Sequence, residues 1–263
     1  MTTSSSVLRI GGVEVDRTKA LESAQGYLSR RDRFGYPAYD SFGSEGGPWQ
    51  ISDADFVAPV LLNAEMSSRT FYALEAARPH LERWLVDVPQ DARLVEAGPA
   101  ELDKLGDLFS VLDSDDLPVD ARGSILAKVM HRKRPAFIPL YDRFVDYCYR
   151  GADGAPVSRD RKRTWKEFLP LLGAAIIDDL STGKEFLQEV ADLATSPVIT
   201  PLRALDIVAW HAGRSHIGPA IWARPGSRAT EDRAGAADTA DTLDTAGTAY
   251  EDRPSVELDD DRP

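Results

Sequence analysis

Apolar residues recur along this 263-residue chain at two different periods. In residues 7–15, VLRIGGVEV, apolar and polar positions alternate around Gly11-Gly12, and that period of two predicts a short β-hairpin. After it the period lengthens to that of a helix. Leu21, Ala24 and Leu28 share one face, and Phe71, Leu74 and Ala77 share another, until Pro79 is expected to break or kink that helix. Gly98-Pro99 predicts the start of a helix carrying Leu102, Leu105, Phe109 and Leu112. Ile125, Leu126, Val129 and Met130 stripe the next one. Trp165, Phe168, Leu169, Leu172 and Ile176 form the clearest helical stripe of all. Two more helices fit GKEFLQEVADLA and PLRALDIVAWHAG, the second ending between Gly213 and Gly218. The expectation is an all-α domain over residues 17–224, preceded by a hairpin segment at 1–16.

Two segments fall outside that pattern. Residues 32–52, DRFGYPAYDSFGSEGGPWQIS, are rich in glycine yet hold Tyr36, Tyr39, Phe42 and Trp49. A long loop inside a compact domain is functional or disordered, and these aromatics argue against disorder. It either plugs its rings into the core or forms an aromatic lid over a ligand. From Pro225 onward, 11 acidic residues meet four arginines, a net of -7, which leaves -5 of the total -12 to the rest of the chain. With almost no large apolar residue, residues 225–263 read as a disordered acidic tail.

Composition narrows the setting. No apolar run is long enough to span a bilayer, and MTTSSS lacks the features of a signal peptide, so no membrane partner is expected. Cys148 is the single cysteine, and with no export signal the reading is cytoplasmic. The four histidines are scattered without ligand spacing, so no metal is expected. No phosphate loop, dinucleotide fingerprint or nucleophile elbow is present, so no cofactor is expected either. Whether the chain is an enzyme, and how it assembles, these patterns leave open.

The chemistry concentrates in residues 128–150, KVMHRKRPAFIPLYDRFVDYCYR. Pro135 restricts Arg134, so the helix bearing Val129 is expected to end near Arg132, and Pro139 suits the first turn of the next helix. Asp142 then falls in or just after that turn, where unpaired amides favour a carboxylate. The structural reading is an acid that stabilises a helix start or pairs with an arginine. The functional one is a fixed carboxylate beside cations that grip phosphate: Lys128, His131, Arg132, Lys133, Arg134 and Arg143. A second basic run, RDRKRTWK, adds Arg161, Lys162 and Arg163. Such runs are otherwise solvated faces. Merged into one patch, they would steer an anion to one place.

ILAKVMHRKRPAFIPLYDRFV (125–145) and LRALDIVAWHAGR (202–214) resemble an uncharacterised family of helical actinobacterial cytosolic proteins, a likeness that implies no chemistry. GSILAK followed after a turn by IPLYDRFV is also similar to the end of the helix-hairpin-helix DNA glycosylase pattern. That resemblance implies Asp142 as the carboxylate supporting glycosidic-bond cleavage and Gly123 as the hairpin glycine near DNA phosphate. The pattern has two glycines spaced G-x-G where VDARGSI has one, and Lys128 falls beyond the place of the lyase lysine. Two functions follow as expectations. One is a nucleic-acid protein, glycosylase-like, with Asp142 catalytic. The alternative is a non-catalytic module for a nucleotide, a phosphorylated metabolite or an acidic protein partner.

Overall fold

The computed structural model describes residues 6–43, 46–114 and 123–222. The hairpin pairs β1 (Val7–Ile10) with β2 (Val13–Asp16), Ile10 opposite Val13. Its two-residue turn needs glycine twice over. Gly11 has φ +56, and a Cβ there would run into the Cys148 carbonyl. Gly12 N–H donates to that carbonyl at 2.8 Å, and Gly11 N–H donates to Asp179 Oδ2 at 2.7 Å. The hairpin is thereby pinned to two helices far away in sequence.

The remainder is helical: α1 (Arg17–Ser29), α2 (Ala38–Ser41), α3 (Asp53–Val57), α4 (Ser68–Asp87), α5 (Pro99–Phe109), α6 (Gly123–His131), α7 (Arg143–Asp146), α8 (Trp165–Thr182), α9 (Lys184–Asp192) and α10 (Pro201–Trp222). The predicted all-α class with an N-terminal hairpin is what the chain adopts. One hydrophobic cluster runs from Leu8 and Ile10 through Leu85, Phe109 and Phe168 to Ala209. Among the described residues, no helix is long and apolar enough to cross a membrane.

Three boundaries differ from the pattern. α4 continues through Pro79, because Pro79 and Glu75 are both exposed and water can satisfy the Glu75 carbonyl that proline leaves without a donor. Pro139 lies ahead of α7, which begins only at Arg143 because Asp142 caps it. α10 runs past Gly213 and Gly218 to Trp222, since Gly213 sits where any Cβ would strike the Phe144 backbone. Its glycine is a point of close helix approach, not a stop. The acidic tail at 225–263 lies outside the described residues.

Candidate functional site

The basic turn after α6 faces inward. Arg134 is fully buried, with its guanidinium donating to the carbonyls of Val88 (2.9 Å), Leu85 (2.6 Å), Pro48 (2.9 Å) and Lys133 (2.8 Å). Leu85 and Val88 belong to the end of α4, where carbonyls lack helical partners and the helix dipole favours a cation. Arg132 donates to the carbonyls of Tyr39 (2.7 Å) and Phe42, and approaches Asp55 Oδ1 at 3.4 Å. Lys133 Nζ meets Asp55 Oδ2 at 2.8 Å. Burial alone would raise the pKa of Asp55. The Lys133 ion pair and the Ser52 amide outweigh it and hold the carboxyl below its usual range. The donors of Arg132 and Arg134 thus engage carbonyls and Asp55 inside the fold.

Those contacts strap down the aromatic segment. Tyr36 is buried, its hydroxyl donating to Pro197 O at 2.8 Å, and Tyr39 is buried with its hydroxyl donating to Lys128 O at 2.5 Å. Phe42 and Trp49 stay at the surface, 38% and 45% exposed. A guanidinium lies beneath each, Arg132 at 5.4 Å from the Phe42 centroid and Arg134 at 4.9 Å from that of Trp49. The segment therefore divides between core and surface.

A buried polar junction joins α1, α2, α6 and α10. Arg203 is 2% exposed and grips Asp40 with two nitrogens, Nε to Oδ1 at 2.9 Å and a terminal nitrogen to Oδ2 at 3.3 Å. It also pairs with Asp206 and donates to the Tyr27 hydroxyl at 2.9 Å. Burial pushes the Asp206 carboxyl up to about 6, against the pull of Arg203. His131 is stacked on Tyr39 with ring centroids 6.4 Å apart, and its Nδ1 donates to Ile138 O at 2.7 Å. Burial, and then Arg203, push His131 down to about 4, so its ring is neutral at pH 7.

Lys128 completes the junction. It is 7% exposed, and burial lowers its basicity while the charges of Asp142 and Asp206 act in the opposite direction. Its Nζ makes no hydrogen bond among the described residues. Asp142 is the N-cap of α7. Oδ1 accepts from Phe144 N–H at 2.9 Å and Val145 N–H at 3.0 Å, while Oδ2 makes no hydrogen bond among the described residues. One oxygen thus fixes the carboxylate at the helix start.

The exposed cations of the predicted site are Arg143, next to Asp142 in sequence, and members of the run before α8. Arg143, Arg161 and Lys162 face solvent, and Arg163 is half-buried, donating to Ser158 O at 2.6 Å. Tyr141 stands edge-on to Trp165 with centroids 5.8 Å apart, which brings the Asp142 turn to the start of α8 just after this run. Gly123 lies under the same indole, where a Cβ would overlap the Trp165 ring. Cys148 is buried and pushed up to about 12, so its thiol is inert. No group of three or more His, Cys, Asp or Glu side chains among the described residues could hold a metal ion.

The two sequence stretches 125–145 and 202–214 thus meet in space, Lys128, His131 and Asp142 from one with Arg203 and Asp206 from the other. A model for a family of unknown function (DUF6308) matches residues 20–213, which includes every residue of this junction. The chain belongs to that family. No curated protein and no solved structure matches the chain. Sequence reasoning missed four members of the junction in this DUF6308 protein: Tyr27, Asp40, Arg203 and Asp206. The available signal was the charged pair Arg203 and Asp206, three residues apart within the mostly apolar PLRALDIVAWHAG.

Proposed function

We propose that the chain binds a phosphate-bearing ligand, nucleic acid above all, and acts as a divergent glycosylase-like protein of a reducing cytoplasm with Asp142 as its working carboxylate. The observation that carries this reading is the division of labour within Asp142, one oxygen held by two amides and the other unbonded beside Lys128. A carboxylate so fixed could stabilise oxocarbenium-like charge or orient a water while a base is turned out of its stack. Arg143, Arg161 and Lys162 would take the phosphates, since their charges face solvent. Arg132, Lys133 and Arg134 would hold the aromatic segment in place behind them. The helix-hairpin-helix resemblance adds weight, because it assigns this role to an Asp at the start of the following helix.

One observation favours the non-catalytic alternative. Two surface hollows, one at Trp49 and one between Leu28 and Leu193, do not include Asp142. Fluorescence anisotropy with labelled single and duplex strands tests the binding. Charge reversal of Arg143 and Arg161 should weaken it and flatten its salt dependence, because fewer counterions are released. Asp142→Asn keeps a capping side chain, so it should bind as the wild type does yet fail to release bases from an oligonucleotide panel. No binding of strand or nucleotide at low salt rejects the whole reading. Binding without base release by the wild type leaves the non-catalytic module.

A further inference from the structure

The surface around Trp49 is built in a way that its exposure alone does not convey. A single exposed aromatic residue is ordinary. Here the underside of the indole rests on the Arg134 guanidinium, 4.9 Å from the ring centroid. Arg134 in turn donates to four carbonyls, one of them from Pro48, the residue preceding Trp49. The indole therefore rests on a buried cation anchored by backbone carbonyls, while Trp49 itself stays 45% exposed. Beside it lies a shallow hollow lined by Trp49, Pro89, Gln90 and Asp91. A flat apolar face fixed in advance, with an amide and a carboxylate at its edge, needs little ordering to receive a flat polar-edged ring.

We propose that this hollow is a stacking site for a nucleobase-type ring carrying an amine edge. The ring would lie on the outer indole face and against Pro89. Its edge would meet the Gln90 amide, which both donates and accepts, and the Asp91 carboxylate, which accepts only. The carboxylate repels phosphate, so the base rather than the backbone enters. A second cation is a poorer occupant, since Arg134 already draws on the electron density of the ring from below. The base could belong to a free nucleoside or to a single strand, and stacking of this kind tolerates either. The proposal does not depend on catalysis at Asp142, nor on the phosphate contacts of Arg143 and Arg161.

The test uses the full chain and three probes: adenosine, an oligodeoxyadenylate about eight nucleotides long, and an abasic strand of the same length. Trp49 is exposed, so Trp49→Ala should fold, and a thermal melt checks that it does. The wild type should bind the base-bearing strand about tenfold more tightly than the abasic one. Trp49→Ala should bring that ratio close to one and leave abasic binding unchanged, while Trp49→Phe keeps most of the preference. If neither strand binds, the phosphate reading fails by itself, and quenching of wild-type tryptophan fluorescence by adenosine, absent in Trp49→Ala, still supports the stacking site. A strand ratio that Trp49→Ala leaves intact overturns the proposal. So does the absence of any Trp49-dependent adenosine quenching, or quenching by a trimethyllysine peptide in its place.

Discussion

At the scale of single residues, Arg134 shows how burial changes the meaning of a charge. An exposed arginine in a basic run can be replaced at a cost within about 0.5 kcal/mol. Arg134 satisfies carbonyls of α4 and of the aromatic segment, and its removal leaves buried acceptors without donors, at about 1–3 kcal/mol for each that water cannot reach. Arg134→Met should therefore lower stability by roughly 3 kcal/mol or more in urea unfolding. A loss below about 0.5 kcal/mol would place the side chain in solvent. The run His131-Arg132-Lys133-Arg134 reads as a surface patch in sequence because nothing local reveals that the end of α4 and Asp55 arrive to receive it. Protonation carries a second prediction at this scale. An unfolded chain protonates His131 near its ordinary 6.5, whereas the folded chain resists until about 4. Stability from this group is complete above 6.5 and is lost as pH falls toward 4, by up to about 3 kcal/mol. Asp206 works in the opposite sense, since its folded carboxyl titrates near 6 against an ordinary 3.8, and acidification through that window favours the folded state. In melts between pH 7 and 4, His131→Asn should flatten the acid loss of stability and Asp206→Asn should steepen it. Unchanged slopes in both variants would contradict the burial argument.

At the scale of elements, the glycines separate close approach from mere flexibility. Gly213 lets α10 lie against the backbone of α7 at Phe144, two residues from Asp142. Gly213→Ala should force the helices apart and cost roughly 1–3 kcal/mol, as overpacking does. It should also impair whatever function Asp142 serves, because the cap moves with α7. Gly26, inside α1, has open space where a methyl would go, with nothing within 4 Å, so Gly26→Ala should instead stabilise the protein by about 0.5–1 kcal/mol. Thermal melts of the two variants should shift in opposite directions, and a shared direction would refute this account of α7 and α10. The helices themselves were legible, because Trp165, Phe168, Leu172 and Ile176 keep one period and Gly98-Pro99 marks a start. Asp142 was legible as a residue near a helix start, but Pro139 suggested a helix opening earlier, whereas Asp142 is itself the cap of a helix that begins at Arg143. The length of α10 was not legible, since a glycine used for packing looks like a glycine used for termination. Nor was the junction of Arg203 with Asp40, which needs two elements more than 160 residues apart to meet.

At the scale of the whole molecule, the uneven charge is the feature with consequences. Residues from Pro225 onward carry a net of -7, and they follow α10. Near that helix's end, His216 stacks on Tyr147 with centroids 5.7 Å apart. Tyr147 in turn borders Gly151, and Arg159 reaches the same spot. The last part of α10 thus lies close to Arg159, at the start of the basic run that continues into Arg161, Lys162 and Arg163. A tether of this kind gives its charges a high effective concentration at nearby sites, millimolar for short flexible linkers and lower for longer ones. We expect the acidic segment to compete with an anionic strand for these exposed cations. Truncation after Arg224 should then tighten polyanion binding at low salt. The advantage should shrink as ionic strength rises toward physiological values, where charges beyond about 8 Å are screened. Removal of the segment should leave the melting temperature nearly unchanged, because a sequence so poor in large apolar residues contributes little to a core. Strand titrations of the full-length and truncated proteins at two salt concentrations decide the matter. Equal affinities at low salt would mean that the negative charge keeps the protein soluble and does nothing at the cationic face.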